Sequence, residues 1–159
     1  MKKYEWSHLN RLQLGKYAEY FVKMEFTRLG VDIYGAEVDD RGIDFVARTQ
    51  DGRHYDVQVK SVHKSEYIYM CKSNFLLRDN LLVAAVMFRE GEEPRLFLIP
   101  STAWLTPNKC LVSRDYVGKK SVPEWGIQMS KPHHPYLTGF DFAKIAESLL
   151  VPTRVSSDH

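Results

Sequence analysis

The sequence predicts an α+β domain, in which a mixed, mainly antiparallel sheet carries an N-terminal helix on one face and a second helix near the C-terminus. Three observations predict this class: a helical pattern opens the chain, a series of short alternating or apolar runs follows, and a second amphipathic pattern comes near the end. The 159 residues, 44% of them hydrophobic, suffice for one core. We therefore expect a single domain over residues 1–150 and a tail over residues 151–159.

The first helix is predicted from Leu12 to Leu29. This stretch lacks proline, Gly30 provides a stop, and small or apolar residues recur at helical spacing. Glu19 lies on the same stripe, where a buried carboxylate is costly unless it is paired or bound to a metal. Two interpretations stay open: Glu19 reaches the helix edge or pairs with an arginine, or it belongs to a site. The stripe consists of Gly15, Ala18, Val22, Phe26 and Leu29.

Two alternating runs separated by a turn predict a β-hairpin in the segment from Gly42 to Lys60. Residues 43–48 and residues 55–60 each alternate apolar and polar side chains, which is the pattern of half-buried strands. Gly52 in the connection can adopt the positive φ that a tight turn needs. We expect this hairpin to carry the chemistry of the protein, because its polar positions supply an acid, an amide and an ammonium group.

The loop length of this hairpin decides which side chains share a face. A two-residue turn would place Asp44 opposite Val59, so that an acid would lie among apolar side chains. A three-residue loop over residues 50–52 places Asp44 opposite Gln58 and leaves one clean apolar face. We predict the second register, in which Asp44, Gln58 and Lys60 converge on the other face. Such a cluster can hold a divalent metal beside a phosphate.

The rest of the chain predicts further strands and short helices. Leu81–Phe88 is almost continuously apolar, as expected of a strand that is covered on both faces, and residues 95–99 return beside it. Ser101 is the expected N-cap of a short helix over residues 100–105. The other predicted elements are strands at residues 31–36, 66–70, 111–112 and 125–129, the last at a sheet edge, and a helix over residues 140–150.

Composition and charge narrow the class of protein. A net charge of +2 neither requires nor excludes a nucleic-acid partner, since a local basic patch suffices. No run approaches the length of a membrane span and no apolar N-terminal segment marks a signal peptide, so we expect a cytoplasmic protein without a membrane partner. Cys71 and Cys110 are expected to be free thiols. The adjacent His133 and His134 lack a second pair of zinc ligands.

Three short motifs resemble those of the PD-(D/E)XK nuclease superfamily. They are Gly15-x-x-Ala18-Glu19 in the first helix, Gly42-Ile43-Asp44 entering a strand, and Gln58-Val59-Lys60 on the next strand. The resemblance covers residues 12–61. Within the superfamily, the sequence resembles the restriction-endonuclease-like branches in which the last motif is Gln-x-Lys. The sequence departs from the consensus in two ways, because no proline precedes the acid of the second motif and an amide replaces the acid of the third.

This resemblance implies a restriction-endonuclease-like core and a divalent-metal-dependent nuclease. It implies Mg²⁺ or Mn²⁺ held by the side chains of Asp44 and Gln58 and the carbonyl group of Val59. Glu19 would complete this set or hold a metal-bound water. Lys60 would orient or deprotonate the attacking water, or neutralise the charge that develops on the phosphate.

Three further side chains are candidates for contacts with nucleic acid. Arg41 precedes the hairpin, and His63 and Lys64 lie just beyond its second strand, where they can contact a phosphate backbone. The alternatives are a pair between Arg41 and Asp39 and a solvated strand end for the other two. The implied partner is nucleic acid, with DNA favoured over RNA, and a homodimer is compatible with the sequence.

Two functions of other kinds stay open. One is a nuclease-fold module that binds nucleic acid without cutting it, although a pure binder does not need the Lys60 ammonium beside an acid. The other is a protein-interaction module, in which exposed aromatic side chains mark the partner surface. Size-exclusion chromatography with and without DNA distinguishes the two. The aromatic candidates are Tyr67, Tyr69 and Trp104.

Overall fold

A five-stranded mixed sheet forms the centre of the computed structural model, which describes residues 2–37 and 42–153. Short 3₁₀ turns at Ser101–Leu105, Lys131–His133 and Thr138–Phe140 connect some of the elements. In chain order the helices and strands are α1 (Arg11–Arg28), β1 (Asp32–Gly35), β2 (Phe45–Arg48), β3 (His54–His63), β4 (Tyr67–Cys71), β5 (Leu81–Phe88), β6 (Arg95–Pro100), β7 (Leu111–Arg114), β8 (Glu124–Gln128), α2 (His134–Leu137) and α3 (Phe142–Leu150).

The strands of the main sheet follow the order β1-β2-β3-β5-β6. The β3–β5 pair is parallel and the other pairs are antiparallel, so the predicted mixed, mainly antiparallel sheet is confirmed. All residues of β5 are buried because helices cover one face of the sheet and a second sheet covers the other. No helix in the described ranges is long and apolar enough to cross a membrane.

The β2–β3 hairpin has the predicted register. Phe45 lies opposite Val57 and Ala47 lies opposite Tyr55, and all four side chains are buried. The three residues between Thr49 and Arg53 form the loop, in which Gly52 has a φ of +87°. The apolar face of this hairpin packs beneath α1, which leaves the alternate positions of β3 on the opposite face.

Helix α1 begins at Arg11 because Asn10 caps it. The Asn10 side chain accepts the backbone N–H of Gln13, and the Gln13 side chain accepts the backbone N–H of Asn10, so two unpaired donors are satisfied reciprocally. The buried stripe of α1 packs with α3 on one face of the main sheet. The stripe consists of Leu14, Ala18, Val22 and Phe26.

The second sheet has three strands in the order β4-β8-β7 and covers the opposite face of the main sheet. The prediction that the strand near residues 125–129 lies at an edge is wrong, because β8 pairs with β4 on one side and with β7 on the other. The prediction for Ser101 is also wrong. Its hydroxyl accepts the backbone N–H of Arg78 at 2.9 Å and donates to the Arg78 carbonyl at 2.6 Å, so it fastens the chain after β4 to the end of β6.

Gly126 on β8 provides the space in which the ring of Tyr67 lies. A Cβ atom at this position would lie 2.5 Å from Cζ of Tyr67, and the hydroxyl group of that ring donates a hydrogen bond of 2.5 Å to Glu124. The ring therefore cannot move aside without losing this bond. We expect Gly126→Ala to lower the free energy of unfolding by about 1–3 kcal/mol through overpacking, as measured by urea denaturation.

The double variant Gly126→Ala/Tyr67→Ala serves as the control for this prediction. Because the second substitution removes the ring that the new methyl group would meet, the cost of Gly126→Ala should largely vanish in the Tyr67→Ala background. An equal cost in both backgrounds would show that the ring does not set the requirement for glycine.

Candidate active site and nucleic-acid cleft

A polar cavity of about 360 Å³ opens between β3, β4 and the segment that follows β4. A second cavity of about 430 Å³ continues along β3 toward His63, and the two share Arg11, Ser61 and Tyr67. We call the combined cavity the β3–β4 groove. The residues that line the cavity of about 360 Å³ are Arg11, Gly42, Gln58, Lys60, Ser61, residues 67–71, Asn74 and Phe75.

Gln58 and Lys60 occupy alternate positions of β3, so both face the β3–β4 groove. The Gln58 amide lies directly against Gly42, where a Cβ atom would come within 2.9 Å of Nε2. Gly42 also has a φ of +68°, a conformation that side chains other than glycine rarely adopt. The backbone conformation therefore favours glycine at this position, and a larger residue would also push the Gln58 amide away from its present place.

Asp44 lies just before β2, where β2 and β3 separate. The ladder between them ends at the pair of Phe45 with Val57, while β3 continues to His63. Beyond this point Oδ2 of Asp44 accepts the backbone N–H of Val59 at 2.6 Å, and the Asp44 N–H donates to the Val57 carbonyl at 2.9 Å. The side chain thus replaces a strand as the partner of Val59, and the carboxylate is held at the opening of the two strands.

Glu19 lies at the edge of the buried stripe of α1, with 25% of its side chain exposed. Its Oε2 atom is 2.9 Å from Nζ of Lys16, so its partner is a lysine one turn earlier and not an arginine. The hydrogen bond with Glu19 raises the pKa of Lys16 most, and the negative charge of Asp44 raises it further. Lys16 therefore interacts with both acids that the sequence assigns to the site.

Sequence reasoning missed both Lys16 and Arg11. The spacing of Lys16 and Glu19, three residues apart on a helix, is a signal for a pair on the helix surface. Arg11, the first residue of α1, lines both parts of the β3–β4 groove. No sequence signal points to Arg11, because its place depends on how the start of α1 meets β3.

The three predicted nucleic-acid contacts have different outcomes. His63 lines the far part of the groove with 11% of its side chain exposed, and its Nε2 atom lies 3.1 Å from Oε1 of Glu90. Lys64 is exposed with a φ of +65°, and it lines a different, smaller cavity beside Arg89. Arg41 lies outside the described residues. The groove therefore contains one of the two described candidates.

The donors at the site are oxygen atoms, which are the ligands that Mg²⁺ and Mn²⁺ prefer. Asp44 and Glu19 offer carboxylates, and Gln58 offers an amide oxygen. In the part of the chain that the structure describes, no three His, Cys, Asp or Glu side chains gather as a metal site. The donor set fits a hard divalent cation, but with two carboxylates, one of them paired with Lys16, it predicts weak binding.

The paired histidines do not form a zinc site among the described residues. Nδ1 of His133 lies 2.7 Å from the Ser130 hydroxyl, and Nε2 of His134 lies 2.9 Å from the Met129 carbonyl. Cys71 and Cys110 are free, as predicted.

The arrangement of strands and helices is found in a solved nuclease structure. The chain is similar to I-Ssp6803I, a bacterial homing endonuclease, with a TM-score of 0.54 and 16% sequence identity over 89% of this chain and 91% of that one. The fold is restriction-endonuclease-like. Hjc, a Holliday junction resolvase from the archaeal hyperthermophile Archaeoglobus fulgidus, aligns with a TM-score of 0.49 and 14% identity over 83% of this chain and 94% of that one. No family model and no curated protein sequence matches this chain.

Proposed function

We propose that this restriction-endonuclease-like protein is a divalent-metal-dependent nuclease that hydrolyses phosphodiester bonds, with DNA favoured over RNA. One observation carries the proposal: Asp44 is fixed to the backbone of Val59, between two residues whose side chains, Gln58 and Lys60, face a polar groove. The fold is shared with a homing endonuclease, which supports the proposal without deciding the activity.

The residues of the groove match the charges of the reaction. Attack on a phosphodiester builds negative charge on the phosphoryl oxygens, and an ammonium group fixed beside them stabilises that charge. Lys60 supplies this group from a strand that pairs with the buried β5. Arg11 brings a second cation to the same groove. Among the described residues Lys60 forms no salt bridge, so its charge is available to a substrate.

The metal would be held by Asp44, Gln58 and the carbonyl group of Val59, with Glu19 directly or through a water. When bound, it would polarise the phosphate and lower the pKa of a bound water. The hydrogen bond from Val59 to Asp44 fixes the carboxylate before metal or substrate arrives. The Lys16 ammonium, which lies 2.9 Å from Glu19 and also interacts with the charge of Asp44, offsets part of the negative charge of both acids.

The two rival functions are affected differently by the structure. A module that binds nucleic acid without cutting it would use the same groove and is separated only by experiment. The protein-interaction hypothesis is weakened, because two of its three aromatic residues are not free at the surface. Trp104 is buried, with 1% exposed, and the Tyr67 hydroxyl group donates a hydrogen bond to Glu124. Of the three aromatic candidates, only Tyr69 stays strongly exposed.

The decisive experiment incubates the purified protein with plasmid and single-stranded substrates in Mg²⁺, Mn²⁺ or EDTA. We expect cleavage with either metal and none with EDTA. An Asp44→Asn variant purified in the same way controls for a contaminating nuclease, since it retains an oxygen acceptor for Val59 but lacks the charge. Binding without cleavage under all conditions would contradict the nuclease proposal in favour of the non-catalytic module, and absence of both would contradict a nucleic-acid function of the groove altogether.

Gln58→Glu should tighten the binding of divalent metal. The substitution adds a third carboxylate to the donor set, beside those of Asp44 and Glu19, at a position that faces the groove, and carboxylates bind hard cations more strongly than amides do. We expect an affinity increase of about tenfold, the factor that corresponds to about 1.4 kcal/mol, in calorimetric titrations with Mn²⁺.

Gln50→Glu is the matched control for this substitution. Gln50 is exposed in the loop of the same hairpin, so the variant makes the same change of net charge away from the groove. Its metal affinity should equal that of the unmodified protein. Weaker or unchanged binding by Gln58→Glu would show that Gln58 is not a ligand.

A further inference from the structure

We propose that the β3–β4 groove holds a single nucleotide turned out of the helical stack, with its base against Tyr69. This inference rests on the proposed function and adds a substrate class to it. The preferred substrate would be a duplex with an unpaired or displaced nucleotide, and a fully paired duplex would bind more weakly.

The size and shape of the groove form the first argument. A protein that positions a duplex through its phosphates needs only a charged surface of matching shape. The β3–β4 groove instead has a concave part of about 360 Å³ beside Lys60, which lies within the range of about 300–1,000 Å³ typical of small-molecule sites. A base within a stacked duplex cannot enter such a cavity, whereas a base that has left the stack can.

Tyr69 provides the second argument, because it is an aromatic side chain held on a rigid strand. Its neighbours Ile68 and Met70 point into the core, so the Tyr69 side chain points away from it, and 54% of the residue is exposed. Within the described ranges its hydroxyl group makes no hydrogen bond, unlike that of Tyr67, which is bound to Glu124. Exposed aromatic side chains of this kind stack on bases of any sequence.

The other groups of the cavity complete the match to a nucleotide. Asn74 carries an amide with donors and an acceptor for a base edge, and the amide of Gln58, whose oxygen is assigned to the metal, adds its NH2 donors. Lys60 and Arg11 line the same cavity and carry the cations that a phosphate requires. An aromatic side chain, amides and cations around one cavity correspond to the base and the phosphate of one nucleotide. An extended peptide would not need this combination.

The test measures fluorescence-anisotropy binding, without added metal, to three short DNA ligands: a paired duplex, the same duplex with one unpaired nucleotide, and a single strand. We expect the duplex with the unpaired nucleotide to bind at least about tenfold more tightly than the paired one, the scale of one base stacked on an aromatic ring. Tyr69→Ala should remove this preference, and Tyr69→Phe should keep it.

Tyr136→Ala is the matched control. Tyr136 is 40% exposed on α2 and lines neither part of the groove, so its loss should leave all three affinities unchanged. Equal binding of both duplexes by the unmodified protein would overturn the inference, and so would a Tyr69→Ala variant that loses affinity equally for all ligands. Metal-dependent cleavage without a preference for the unpaired nucleotide would contradict only this inference. A preference that depends on Tyr69, without cleavage, would contradict only the nuclease proposal.

Discussion

Lys60→Ala should lose cleavage by about two to three orders of magnitude, which is the effect of removing one fixed electrostatic donor from a transition state. Its affinity for nucleic acid should fall far less, because one phosphate contact among many changes the salt slope by only about one. Folding should survive, since Lys60 is partly exposed at a groove and does not belong to either core. The measurements are single-turnover cleavage, anisotropy across a salt series and thermal melting of the same variant.

Lys144→Ala provides the control for charge and length. Lys144 is exposed on α3, which packs on the opposite face of the main sheet, so cleavage and binding should both stay unchanged. Unfolding of Lys60→Ala would assign the lysine a structural ion pair with Asp44 or Glu19. The structure argues against this outcome for Glu19, whose partner is Lys16. A variant that cuts as fast as the unmodified protein would remove Lys60 from the mechanism.

Trp104→Ala should lower the free energy of unfolding by about 3–5 kcal/mol, the usual cost of deleting a large buried aromatic side chain. Trp104 packs edge-on against Phe75, with 5.8 Å between ring centroids, and its Nε1–H donates to the Gly126 carbonyl at 3.1 Å. The substitution leaves a cavity between the two sheets and removes the donor of that carbonyl. Because whole domains are stable by only about 5–15 kcal/mol, we expect a large fall in the urea midpoint.

Two control variants test whether the loss of stability comes from the buried indole ring itself. Trp104→Phe retains most of the ring volume and should cost less than the alanine variant. Leu105→Ala changes the next residue, which is 70% exposed, and should shift stability by no more than about 0.5 kcal/mol. Equal losses for Leu105→Ala and Trp104→Ala would show that the buried indole does not join the sheets. Loss of nucleic-acid binding should accompany the loss of Trp104, because β4 forms one wall of the groove.

Local patterns predicted those parts of the fold that local forces determine. The register of β2 and β3 follows from alternation and from Gly52, so the pairing of Phe45 with Val57 could be predicted. The central position of β8 could not be predicted. Its partner β4 is distant in the sequence and its partner β7 is separated from it by a loop, and such strand pairing leaves no periodic signal in the sequence. Ser101 matched the residue type of a helix cap, but a tertiary contact with Arg78 uses its hydroxyl group instead.

The candidate site was predictable to a similar extent. The motif residues Gln58 and Lys60 share a face because strand geometry requires it, and both reach the groove. The hydrogen bond between Asp44 and Val59 depends on where β2 leaves β3, which alternation alone does not determine. The groove itself needs β4 from the second sheet, so its shape, and the position of Tyr69 within it, could come only from the folded chain.

The place of β4 in the chain has a consequence for biosynthesis. β4 is translated between β3 and β5, but its hydrogen-bonding partner is β8, which ends at Gln128. All five strands of the main sheet are therefore available once Pro100 has left the ribosome, whereas β4 is still unpaired because β8 has not been synthesised. We expect β4 to stay protease-sensitive in arrested chains that end before Gln128, and early protection would contradict this order. A growing chain that still lacks β8 would then have no groove, and any nuclease activity would begin only after Gln128 has left the ribosome.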